Sequence, residues 1–294
     1  MVRLFLDTDF GPDCDDAGAL QLAHYLCDRG EAELLGVTHC TGNPYGLPAI
    51  SALNRFNGRE VPLGTTKRGL LAECQKYNRP MSEMFPHEFE SGRPQRDAVE
   101  VFREVMRRQT DGSVTVCSIG PLTNLADFLA DEECRRLIER KVRRLVSMAG
   151  NFTSGAGAEW NVEMDVPAAL RVLEDWPGEI VFCLWECGGG VLTGMTYRGF
   201  EKEHPAACAY ERWTDGGMAR PSWDLLAVLQ AIRSDNGLMT DSGRGWIRMD
   251  TRGATVFEPS LEGRHAYTIN VRPDAEISAA LEEMLGASKS RIEE

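Results

Sequence analysis

The sequence predicts an α/β fold: an open, mainly parallel sheet with helices on both faces. Three observations predict it. Apolar runs rich in β-forming residues alternate with stretches of helical periodicity. Alternation of this kind closes as parallel crossovers, with helices covering both sides of the sheet. Hydrophobic residues make up 43% and charged residues 26% of the chain, a globular balance rather than a fibrous or disordered one. No internal repeat, low-complexity tract or clear linker breaks the pattern, so residues 1–294 read as a single domain.

The elements follow in order. Val2–Thr8 is an apolar run of β-formers and reads as the first strand. Asp15–Asp28 carries Ala17, Leu20, Leu22, Ala23 and Leu26 at helical spacing. Glu33–His39, with Leu34, Leu35 and Val37, is the second strand, and Leu47–Phe56 the next helix. Residues 58–95 hold several prolines and glycines and read as loop with short elements. Helices are then expected at Asp97–Arg108, Leu122–Leu129, Val166–Glu174 and Trp223–Ile232, with strands at Val114–Ser118, Arg144–Met148 and Glu179–Trp185. Trp246–Val271 reads as strands joined by glycine-containing turns, and Asp274–Leu285 as a closing helix. Residues 58–95 and 235–270 are the expected decorations around a site, which in such sheets lies at the carboxyl ends of the strands.

Charge narrows the function classes. The chain has 32 basic and 45 acidic residues, a net −13. Nucleic-acid binding driven by counterion release needs the opposite balance, so no nucleic-acid partner is expected. No apolar run of about 18 residues is present, so no membrane span is expected. The N-terminus MVRLFLDTDF has an apolar stretch shorter than a signal-peptide core and runs into Asp7, which predicts a cytoplasmic protein. Nine cysteines occur without a CxxC spacing, Cys183 and Cys187 being the nearest pair in sequence; they read as reduced, core-filling thiols.

Chemistry concentrates after the first strand. Asp7, Asp9, Asp13, Asp15 and Asp16 place five carboxylates within ten residues. Their repulsion is unfavourable unless a cation neutralises it. Helix capping accounts for Asp13 or Asp15, and the helix N-terminus favours Asp15 and Asp16. Neither explains Asp7 and Asp9. The cluster therefore predicts a hard divalent cation held by oxygen ligands.

The segment DTDFGPDCDDAGAL resembles the N-terminal signature of the nucleoside hydrolases, calcium-dependent N-ribohydrolases, whose usual form is DTDPGxDDAxAL. Further motifs match in order: Thr41-Gly42-Asn43, Ile119-Gly120-Pro121-Leu122-Thr123-Asn124, Met148-Ala149-Gly150 followed by Glu159-Trp160-Asn161, and Trp223-Asp224. The likeness covers about residues 3–232 and implies a Rossmann-like nucleoside hydrolase fold. Residue by residue, it implies a calcium ion on Asp9, Asp16, Asp224 and the backbone carbonyl of Ile119. It implies Asp9 also as the base for the attacking water. Asp15, Asn43, Met148, Glu159 and Asn161 fall at substrate-binding positions, and Asp7 at a supporting one. The chemistry is coherent: cleavage of an N-glycosidic bond builds positive charge on ribose, calcium accepts several oxygen ligands, and a metal-bound water is easier to deprotonate. The resemblance also implies a small-molecule nucleoside as partner and a homo-oligomer, dimer or tetramer.

The chain departs from the pattern twice. Two extra residues stand between Gly11 and the paired aspartates, adding Asp13 without a counterpart. In many members a histidine before the last aspartate protonates the leaving base; here Trp223 holds that place, which resembles the purine-specific branch, where aromatic rings sandwich the base. Trp223 is accordingly the second candidate catalytic residue, with Phe85, Phe89 or Tyr77 as its stacking partner. Glu186, before Gly188-Gly189-Gly190, is a further candidate for the pocket. Two rivals stand beside this reading. A haloacid dehalogenase-type phosphatase shares the first DxD but needs a later lysine and a GDxxxD-like motif, which are missing. A non-catalytic ribosyl binder fits the missing histidine but has no need of Asp9.

Overall fold

The computed structural model describes residues 1–90, 94–153 and 157–287. Along the chain run β1 (Val2–Thr8), α1 (Asp15–Asp28), β2 (Ala32–His39), α2 (Gly46–Phe56), β3 (Leu63–Thr65), α3 (Asn78–Met84), α4 (Ala98–Arg107), β4 (Val114–Ile119), α5 (Thr123–Ala130), α6 (Glu132–Lys141) and β5 (Val142–Met148). There follow α7 (Trp160–Met164), α8 (Val166–Asp175), β6 (Glu179–Cys183), α9 (Trp185–Gly188), β7 (Leu192–Thr193), α10 (Pro205–Trp213), β8 (Arg220–Pro221) and α11 (Trp223–Ile232). The chain ends with β9 (Met239–Asp241), β10 (Gly245–Met249), β11 (Thr255–Pro259), β12 (His265–Asn270) and α12 (Asp274–Gly286).

Among the described residues the main sheet has the order β11-β10-β12-β6-β5-β4-β1-β2-β3, with β9 also on β12. Strands β3 to β12 along that order are parallel; β10, β11 and β9 pair antiparallel. The predicted open, mainly parallel sheet is therefore present. Its faces are covered as the two-residue strand period requires. Phe5 of β1 meets Phe102 of α4 and Phe128 of α5, with ring centroids 5.1 and 6.4 Å away. α1 and α11 pack together over the other face.

Several boundaries differ from expectation. The strand expected to reach Trp185 stops at Cys183, because both neighbours run out: β5 ends opposite Cys183 and β12 pairs only as far as Phe182. Trp185 instead opens α9. The sequence reading has no α6 or α10. α6 is mostly charged, with Cys134 and Ile138 as its buried apolar residues. α10 is capped by a histidine ring, His204 Nδ1 accepting from Ala206 N at 3.1 Å, rather than by the usual short polar residues.

The topology fixes where a ligand sits. From β1 the chain steps to β2 and β3 on one side, then returns to β4, β5 and β6 on the other. The crevice lies where the order reverses, at the carboxyl ends of β1 and β4. Gly120 lets the two ends meet: a Cβ there would lie 2.8 Å from Asp9 N and 2.9 Å from Asp9 Cβ. No helix among the described residues is long and apolar enough to cross a membrane.

Candidate active site

At that crevice is a cavity of about 310 Å³. Its floor carries Asp9 after β1, Asp15 and Asp16 in the first turn of α1, Asp224 in the first turn of α11, and Ile119 at the end of β4. Met148, Glu159 and Asn161 form one wall. Thus every predicted metal position and all but one of the substrate positions converge, from elements far apart in sequence.

The aspartates are held by local chemistry. Thr8 Oγ1 donates to Asp16 Oδ1, and Asp224 N donates to Asp15 Oδ2 at 3.1 Å. Oxygens of Asp15, Asp16 and Asp224 all lie within 4.8 Å of one another, and Asp9 sits against Asp16. All four are buried. Burial first, and then their mutual repulsion, pushes these carboxyls well above the usual carboxylate range. Converging carboxylate oxygens facing one buried point form the donor set of a hard cation. Asp7 stands behind this floor: it accepts from Thr38 Oγ1 at 2.6 Å and Asn124 Nδ2 at 2.8 Å, tying β1 to β2 and α5, and burial pushes its carboxyl up to about 7.

On the wall, Glu159 caps α7, accepting from Asn161 N at 2.9 Å, Gly150 N at 3.1 Å and Val162 N at 3.3 Å. These bonds favour its anion, yet burial outweighs them and holds the carboxyl at about 7. Asn161 Nδ2 donates to the Met148 carbonyl at 3.0 Å, fixing the amide at the end of β5.

Five expected residues need correction. Asn43 does not line this cavity. Its amide donates to the carbonyls of Ala72 and Cys74 at 3.2 and 2.6 Å, and its oxygen accepts from Tyr45 N, so it latches the loops of a separate groove. Tyr77 is fully buried behind Phe10 and is no stacking partner for a ligand. Phe89 lines the separate groove, and Phe85 lines neither. Glu186 turns away to hold the Phe152 amide at 2.6 Å and the Thr153 hydroxyl at 2.9 Å.

The aromatic wall is instead Trp160, Trp185, Trp213 and Trp223. Trp223 Nε1 donates to the Trp185 carbonyl at 2.8 Å, and the two rings lie 6.4 Å apart at 23°. Trp160 stands inside the motif quoted for Glu159 and Asn161; Trp185 and Trp213 carry no motif and are brought in by α9 and α10. Arg220, also unforeseen, lines the cavity and clasps the inserted Asp13, with Nε 2.9 and 3.0 Å from the carboxylate oxygens.

The sequence model described as inosine-uridine preferring nucleoside hydrolase matches residues 4–280. An inosine-uridine preferring nucleoside hydrolase of Leishmania major is 30% identical over 189 residues, covering 59% of this chain and 58% of that protein. The non-specific ribonucleoside hydrolase RihC of Escherichia coli is 32% identical over 194 residues, covering 61% and 60%. The matches thus span somewhat under two thirds of these relatives. Among solved structures, an inosine-uridine preferring nucleoside hydrolase from Bacillus anthracis superposes with a TM-score of 0.74 at 18% identity, covering 97% of this chain and 99% of that one. An inosine-guanosine nucleoside hydrolase gives 0.75 at 19%, covering 98% and 99%. Fold, order of motifs and the family match agree: the chain belongs to the inosine-uridine preferring nucleoside hydrolase family.

Proposed function

We propose that the chain, as a single domain, is a calcium-dependent N-ribohydrolase of ribonucleosides, with a preference for purine bases. The observation that carries this is the convergence of Asp9, Asp15, Asp16 and Asp224 on one buried floor beneath a wall of tryptophans. Asp9, Asp16, Asp224 and the Ile119 carbonyl are the residues that would hold the ion. Calcium bound there would supply Lewis acidity and orient a water. Asp15, Glu159 and Asn161 fix the ribose hydroxyls, for which carboxylates and amides are direct partners. Asp9 accepts the proton of the attacking water. The tryptophan wall stacks on the departing base, and the wider face of a purine gains more from it. The nine free thiols fit a reducing, cytoplasmic setting, and the family resemblance a homo-oligomer.

The deciding experiment is a panel of purine and pyrimidine ribonucleosides, assayed for free base and free ribose with calcium added and removed. Calcium-requiring release of both products, faster for purines, is expected. Binding of nucleosides without release would leave the non-catalytic binder as the reading.

A further inference from the structure

Resting on the ribohydrolase reading, we propose that Arg220, held by the inserted Asp13, is the group that stabilises the departing base. Among the described residues lining the cavity it is the only cation. Its guanidinium is fixed from three sides. Asp13 takes Nε at 2.9 and 3.0 Å and also Nη2. The guanidinium carbon lies 5.5 Å from the Trp223 ring centroid and 6.0 Å from that of Trp213. The Nη1 end makes no hydrogen bond among the described residues.

Such fixing has little use for stability. The pair is partly exposed, with side chains 33% and 23% accessible, where solvent screens its attraction. The chemistry has a use for it. Trp223 stands where a proton donor to the base would otherwise be, and an indole donates no proton at neutral pH. When the bond between the anomeric carbon and the base nitrogen breaks, its electron pair stays on the base. Water adds to the carbon and gives its proton to Asp9. The base leaves as an anion and takes a proton from solvent afterwards. A permanently charged guanidinium at the base end offsets that negative charge without losing a proton. Its planar N–H edge also matches the two acceptors on the major-groove edge of a 6-oxopurine, the ring nitrogen and the carbonyl oxygen. Asp13 keeps that edge aimed, so the insertion positions the arginine.

The test compares inosine with p-nitrophenyl riboside, whose leaving group departs as a stable anion without help. The full chain with calcium is assayed as wild type, Arg220→Gln and Asp13→Asn. Arg220→Gln is expected to lose about 10- to 100-fold in kcat/KM on inosine, the loss of a charge-assisted hydrogen bond, and much less on p-nitrophenyl riboside. Asp13→Asn should lose a smaller amount with the same substrate bias. Equal losses on both substrates would assign the pair to loop architecture and overturn the proposal, as would undiminished inosine cleavage by Arg220→Gln. A wild type that cleaves neither substrate would remove the ribohydrolase reading itself, a different outcome from either.

Discussion

On the proposed reading, the reaction and its substrate range turn on Asp9 and Trp223. Asp9→Asn keeps the size of the side chain and one acceptor oxygen but removes the charge that takes the proton. Loss of a general base costs about 10²–10⁴-fold, so turnover should collapse. The fold should survive, because one of four mutually repelling buried carboxylates is gone. Ribose release and a melting curve read the two halves; near wild-type release would show that Asp9 is not the base. Trp223 is half-buried, and its N–H is committed to the Trp185 carbonyl, so only its ring faces are left for chemistry. Trp223→Ala should slow purine ribosides more than pyrimidine ones at equal folded concentration. A purely packing role would give only a stability loss, about 3–5 kcal/mol, with the purine-to-pyrimidine ratio unchanged.

Helix starts do the positioning. α1 and α11 present Asp15, Asp16 and Asp224 from their first turns, and α9 lies against the start of α11 through a glycine. A Cβ at Gly188 would fall 2.3 Å from Trp223 Cδ1 and 2.7 Å from Trp223 Cα. Gly188→Ala must therefore push α11 away, at a cost of about 1–3 kcal/mol. It should weaken calcium binding with it, measured by melting and by calcium titration; wild-type values in both would show that the contact gives way freely. α7 yields a pH prediction through its cap. The Glu159 carboxyl is raised from 4.5 to about 7 in the folded protein, so the unfolded chain ionises first as pH rises. Its contribution to stability is complete below about 4.5 and is lost as pH climbs through about 7. Relative to Glu159→Gln, the wild type should lose melting temperature across that window. Curves of identical shape would mean that Glu159 is not held protonated.

For the whole molecule, a cation bound at the acidic floor would make stability depend on metal. A ligand at 100 times its dissociation constant adds about 2.7 kcal/mol. A chelator should therefore lower the melting temperature, and calcium should restore it more fully than magnesium, which tolerates fewer protein oxygens. Identical melting in both conditions would remove the metal assignment. Much of this was legible in the sequence. The β1 and α11 boundaries and the parallel sheet rest on periodicity, and the clustering of Asp9, Asp15 and Asp16 on a short motif at a strand end, local properties that a chain segment carries alone; Asp224 joined them only through the family resemblance. Asn43, the aromatic wall and Arg220 were decided only by the tertiary structure. Asn43 belongs to a matching motif, yet its amide is consumed by the carbonyls of Ala72 and Cys74. Trp185 and Trp213 reach the cavity on α9 and α10, elements without a strong periodic signal. Asp13 meets Arg220 across 207 positions of sequence. No local pattern encodes such a pairing, because it arises only when the sheet brings the carboxyl ends of its strands, and the loops they carry, to one place.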